Sequence, residues 1–140
     1  MNQAANAWLG RWGFVPLRIV LGVVFIMHGA QKLFDFGVVG TADVLAKLGI
    51  PFAAGTAVLL IVVETLGGAA ILLGVFARPV ALMLAIEMCV AIPVARFAGG
   101  FFTPYGYEFE MTLLGACLTL AMVGSGGMSL DGLLKRGPKQ

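Results

Sequence analysis

The chain is 140 residues long, 60% hydrophobic and only 11% charged, with a mean hydropathy of +1.00 and a formal net charge of +2. A soluble domain of this size carries about twice that share of charge, so composition places the chain in a membrane. The small, dispersed positive charge offers no footing for nucleic-acid binding.

Four apolar stretches follow one another, at about residues 14–34, 52–76, 79–97 and 107–123. A helix rises about 1.5 Å per residue and the hydrocarbon core is about 30 Å thick, so each stretch spans or nearly spans it. Lipid requires every backbone polar group to be satisfied internally, and none of these segments alternates in polarity as a barrel strand does. The expectation is all-α: one integral membrane four-helix bundle over residues 1–140, with short loops. Trp8, Trp12 and Phe14 fit an aromatic belt ahead of the first helix. That helix is long and carries His28 and Lys32, unlike a signal peptide.

The first linker covers residues 35–51, the second only 77–78, and the third 98–106. So short a second link forces the second and third helices into an antiparallel hairpin. Pro79 suits its restart, because proline is tolerated in a first helical turn. Two cysteines, Cys89 and Cys117, form no CxxC pair and read as small buried hydrophobes. After the fourth helix, residues 129–136 form an interfacial tail with Ser129 as its N-cap. With the N-terminus cytoplasmic, Arg11, Arg18, Arg78, Lys135, Arg136 and Lys139 lie inside, against Lys32, Lys47 and Arg96 outside. The positive-inside rule therefore expects both termini to be cytoplasmic.

Ionisable groups inside a membrane are costly and mark function by default. The candidates are Arg18, His28 and Lys32 on the first helix, Glu64 on the second, Glu87 on the third, and Glu108 and Glu110 on the fourth, with Arg96 near the outer end of the third. At about 100° per residue, Arg18, Gly22, Phe25, His28, Gly29 and Lys32 share one face. Glu64 shares a face with Ala57, Gly68 and Ile71, Glu110 with Leu114, Cys117 and Ala121, and Glu87 with Met83, Ala91 and Val94. Cys89 turns away from the Glu87 face, which disfavours a Cys89–Cys117 disulfide. Glu64 and Glu87 fall near mid-membrane, where two ionised carboxylates repel, so either one is protonated or a cation such as Arg18 or Lys32 reaches them. Glu108 reads as a rim residue. The candidate polar site is accordingly Arg18, His28, Lys32, Glu64, Glu87 and Glu110, opening toward the outer face. Pro93 is expected to kink the third helix.

The order Arg18, Gly22, Phe25, Gly29, Lys32 resembles the opening helix of DoxX-type membrane proteins. The ending Gly124-Ser125-Gly126-Gly127-Met128-Ser129-Leu130-Asp131 is similar to that family's glycine-rich Ser-Leu-Asp finish, and Glu64 followed by Gly67, Gly68 and Gly74 resembles its second helix. Gly127-Met128 departs from the basic and aromatic pair that many members carry. The resemblance implies a multi-pass protein of the bacterial inner (cytoplasmic) membrane. Some members are subunits of thiosulfate:quinone oxidoreductases, and others belong to oxidative-stress or thiol-redox membrane complexes. The resemblance thus implies an accessory membrane subunit of a redox complex, in which a quinone is a possible ligand and other membrane proteins are partners, with an oligomer open. The alternatives are a structural or assembly subunit without chemistry, and a small-solute or proton pathway. The chain has no CxxCH haem attachment, no cysteine cluster, no metal-ligand set and no GxGxxG, so no intrinsic cofactor is expected and any metal or flavin belongs to a partner.

Overall fold

The computed structural model describes residues 10, 12–127 and 129–134. Trp8, Arg11, Met128, Lys135, Arg136 and Lys139, on which parts of the belt, ending and orientation readings rest, lie outside them. Among the described residues every regular element is helical.

Helix α1 (Val15–Gln31) has Pro16 in its first turn, where the missing N–H breaks no helical bond. It runs into a π-helical turn (Lys32–Phe36), and Gly37, with φ of 68°, redirects the chain into α2 (Gly37–Lys47). Helix α3 (Ala53–Leu73) ends where Gly74 turns left-handed at φ 69°. The Gly74 and Val75 N–H groups then donate back to the carbonyls of Ile71 (3.1 Å) and Ala70 (2.9 Å), closing the helix end. Helix α4 (Ala77–Ala91) continues through a π-helical turn (Ile92–Arg96) and a 3-10 turn (Phe97–Gly99). Pro93 lies in that π turn, where its missing N–H removes one bond from the helical ladder. Helix α5 (Glu108–Val123) and the short α6 (Leu130–Leu134) complete the order.

Three helical runs, Val15–Lys47, Ala53–Leu73 and Ala77–Gly99, are long and apolar enough to cross a membrane. Helix α5, at 16 residues, packs along α4. Two boundaries differ from expectation. The expected linker 35–51 is mostly helix, because Asp43 and Lys47 line the exposed side of α2 while Thr41 is buried and donates from Oγ1 to the Lys32 carbonyl at 3.3 Å. The link before α4 is residues 74–76, and Pro79 falls in the first turn of that helix.

The main packing is α1 on α3 and α4 on α5, with α3 joining the two pairs. Their shared core holds Leu21, Phe25, Ile71, Leu84, Met88, Leu113, Cys117 and Leu120. Val20, Met27, Leu59, Leu66, Ile86 and Met122 point outward, as side chains do when the solvent is lipid. Cys89 belongs to that outward set, so the buried reading holds for Cys117 alone, and both thiols are free.

The glycine-rich ending has a structural task. Ser129 caps α6, its Oγ accepting from Gly132 N at 3.0 Å, as the sequence reading expects. Asp131 accepts from Phe76 N (2.9 Å), at the N-cap of α4, and from Ala77 N (3.1 Å), its first residue, and its own N–H donates to the Gly74 carbonyl at 3.0 Å. The carboxylate thus holds Phe76 at its left-handed φ of 46°, a conformation unfavourable for a bulky side chain. From α1, Arg18 Nη1 donates to the Ser125 carbonyl at 2.7 Å. Asp131→Ala is expected to lower stability by about 1–2 kcal/mol, and Asp131→Asn by less, read as a shift in thermal unfolding in detergent. An Ala variant as stable as the parent would mean that the capping contributes nothing.

Candidate functional site

Lys32 opens the π turn at the end of α1 and projects onto α3. Its ammonium donates to Glu64 Oε1 at 2.8 Å and stands 2.7 Å from Oε2, straddling the carboxylate. The Glu64 side chain is 4% exposed and that of Lys32 23%, so the pair is largely withdrawn from its surroundings. The approach depends on small residues: Gly29 lies against the Thr65 backbone, and Gly22 and Gly68 face each other. Glu87, from α4, brings its carboxyl within hydrogen-bonding reach of Glu64, and Lys32 acts on it as well. One oxygen of Glu87, Oε2, is buried with no hydrogen-bond partner among the described residues.

A second ion pair joins the other half of the bundle. Arg96, the last residue of the second π turn, donates from Nε to Glu110 Oε1 at 2.7 Å. Its side chain is 42% exposed against 11% for Glu110, so this pair sits at the edge of the polar layer. His28, one helical turn before Lys32, is half-buried, its ring tilted against Phe109 at a centroid distance of 5.7 Å. The charges of Lys32, Glu64, Glu110 and Arg96 all act on it. Beside it an open groove of about 350 Å³ runs along α1, lined by Met27, His28, Ala30, Gln31, Phe34 and Asp35.

Five of the six candidate residues, His28, Lys32, Glu64, Glu87 and Glu110, therefore occupy one layer. Arg18 does not join them. It shares their helical face and is buried, but lies 14 residues before Lys32, about 21 Å along the axis, where it bonds the Ser125 carbonyl. Lys32, not Arg18, is the cation that reaches the central carboxylates. Arg96 belongs to the layer although the candidate set omits it; the available signal was an opposite charge in α5 at matching depth. Glu108 stays at the rim, its Oε1 accepting from Thr103 N (2.7 Å) and Oγ1 (2.6 Å). The phase of Glu64 with Ala57, Gly68 and Ile71 is the observed buried face of α3. That of Glu87 with Met83 and Val94 is not: both are exposed, and α4 buries Ala81, Leu84, Ala85 and Met88.

The layer can hold charge and exchange a proton inside an apolar body. Lys32 and Arg96 bring two positive charges, and Glu64, Glu87 and Glu110 bring three carboxyls. With neutral imidazole, one proton on a carboxyl makes the layer neutral. Ionised groups in hydrocarbon are unfavourable unless paired, so one proton shared among the three carboxyls balances the charges of the layer.

Comparison with known proteins gives the chain its relatives. It is 28% identical over 127 residues to the Bacillus subtilis protein named "Putative oxidoreductase CatD", spanning 91% of this chain and 90% of that one. It is 35% identical to a Haemophilus influenzae protein over 121 residues, covering 82% of this chain and 85% of the relative. It is 30% identical to the Escherichia coli inner membrane protein YphA over 120 residues, 81% and 84% of the two chains. No solved structure matches it significantly. The DoxX family model matches residues 13–102, a stretch holding Arg18, His28, Lys32, Glu64 and Glu87. On this match and these relatives, the chain belongs to the DoxX family and is a multi-pass protein of the bacterial inner membrane.

Proposed function

We propose that this chain is the membrane subunit of a redox complex, and that its polar layer takes up and releases one proton beside a lipid-soluble carrier such as a quinone. The observation that carries this reading is the Lys32–Glu64–Glu87 cluster: one cation against two carboxyls, buried between α1, α3 and α4. Reduction of a quinone consumes protons, and an apolar wall with a few convergent polar groups suits such a ligand. Redox-active groups belong to a partner, because the chain has no cysteine cluster or haem motif of its own. The name of CatD, at 28% identity, points the same way. With both termini cytoplasmic, as the positive-inside count expects, the polar layer opens on the outer half.

Mild-detergent purification of the tagged protein tests the reading. Extractable quinone and a larger redox enzyme at near-stoichiometric amounts are expected, with less quinone retained by Glu64→Gln. A protein that emerges alone and free of quinone would count against the redox role and favour a solute or proton pathway. Stoichiometric capture of an enzyme, with Glu64→Gln fully competent, would instead make the chain an assembly subunit.

A further inference from the structure

We infer that His28 is a proton carrier between the groove on the α1 flank and the Glu64–Glu87 carboxyl pair, which makes the chain an intramembrane proton relay. The inference rests on the one-proton reading of the polar layer given above and deepens it by naming the path.

Two independent observations place His28 there. The first is the groove, whose wall contains its imidazole together with Gln31 and, at the π turn, Asp35. Asp35 is exposed and stands on the surface side, and Gln31 has no titratable proton. The second is its position on α1, one helical turn before Lys32 and on the same face. The charges of Lys32, Glu64, Glu110 and Arg96 all act on the ring. Lys32 in turn sits directly on Glu64, which is in reach of Glu87. His28 is therefore the titratable side chain that both lines the groove and stands within the field of the buried carboxyls. The Phe109 ring packed on the imidazole at 5.7 Å restricts how it can turn.

The transfer balances without electrons. A hydronium in the groove gives its proton to one imidazole nitrogen and leaves as water. The imidazolium then releases the proton on its other nitrogen to a carboxylate oxygen of the pair. That carboxylate becomes a carboxylic acid, and histidine returns to its neutral form as the opposite tautomer. The reverse sequence empties the pair.

Infrared spectroscopy of the purified protein in lipid nanodiscs reads this directly, because a protonated carboxyl has its own C=O stretching band. The band is expected in the parent and lost in Glu87→Gln or Glu64→Gln. After transfer to D2O its hydrogen–deuterium exchange is expected to slow about a hundredfold in His28→Phe and His28→Gln, with the band still present. In His28→Ala, added imidazole restores fast exchange, which a merely structural histidine would not allow. Circular dichroism checks that each variant keeps its helices, and one folded variant suffices for the comparison. Unchanged exchange in the folded variants overturns the role of His28 while leaving the one-proton reading in place. A parent with no band sensitive to Glu64 or Glu87 overturns that reading, and the relay with it.

Discussion

Lys32→Met is expected to destabilise the protein by about 3–5 kcal/mol, whereas Glu64→Gln and Glu87→Gln each cost clearly less. The asymmetry comes from the numbers of charges in the cluster. Among the described residues Lys32 is the one cation set against these two carboxyls, straddling Glu64 and acting on Glu87. Removing it leaves both acids in an apolar interior with no counter-ion, and Glu64, at 4% exposure, has no route to water. Removing either acid leaves Lys32 with the other, and the glutamine amide retains a hydrogen-bonding group of similar size. A double Lys32→Met/Glu64→Gln variant removes one charge of each sign and is expected to recover part of the loss. Unfolding in mixed detergent–SDS micelles gives the four stabilities. Equal losses in Lys32→Met and Glu64→Gln would show an isolated pair in which Glu87 takes no part.

Helical phase makes much of this layer legible in the sequence alone. Successive residues turn by a fixed angle, so Arg18, Gly22, Phe25, His28, Gly29 and Lys32 had to face one way, and all but half-buried His28 and Lys32 are buried. Phase reports direction but not depth, however. It grouped Arg18 with Lys32 although they serve opposite ends of α1. Nor does it report reach: Glu87 lies beside the buried stripe of α4, and only a long side chain brings its carboxyl to Glu64. The Arg96–Glu110 pair depends on the relative height of α4 and α5, which a three-dimensional packing sets and a single sequence does not state. Residues 35–51 read as a linker because they fall between the first two apolar stretches. In the fold Gly37 is a bend between two helices, and the charged residues of α2 line its exposed side.

The second large effect is expected where α1 and α3 cross. Without a hydrophobic force between helices in lipid, their association depends on close packing, and small residues permit it. A Cβ on Gly68 would lie 2.7 Å from Ile26 N and 2.8 Å from the Gly22 carbonyl oxygen, and one on Gly22 would lie 2.9 Å from Leu72 N. These neighbours are backbone atoms of another helix, so no side-chain rotation relieves them and the helices must separate. Gly68→Leu is accordingly expected to cost about 3 kcal/mol or more, at the upper end for overpacking, and Gly68→Ala somewhat less. Separation also draws Lys32 away from Glu64, so the loss adds to packing a weakened ion pair, and Gly68→Leu should abolish the sensitivity of stability to Lys32→Met. Gly55 and Gly115 are the controls. Nothing lies within 4 Å of a Cβ on either, and alanine there is expected to be neutral or to stabilise by up to about 1 kcal/mol, its advantage over glycine in a helix. Micellar unfolding of the single variants and of Gly68→Leu/Lys32→Met separates these outcomes. If Gly68→Leu were as mild as Gly55→Ala, the crossing would have to be looser than this geometry and the ion pair independent of it.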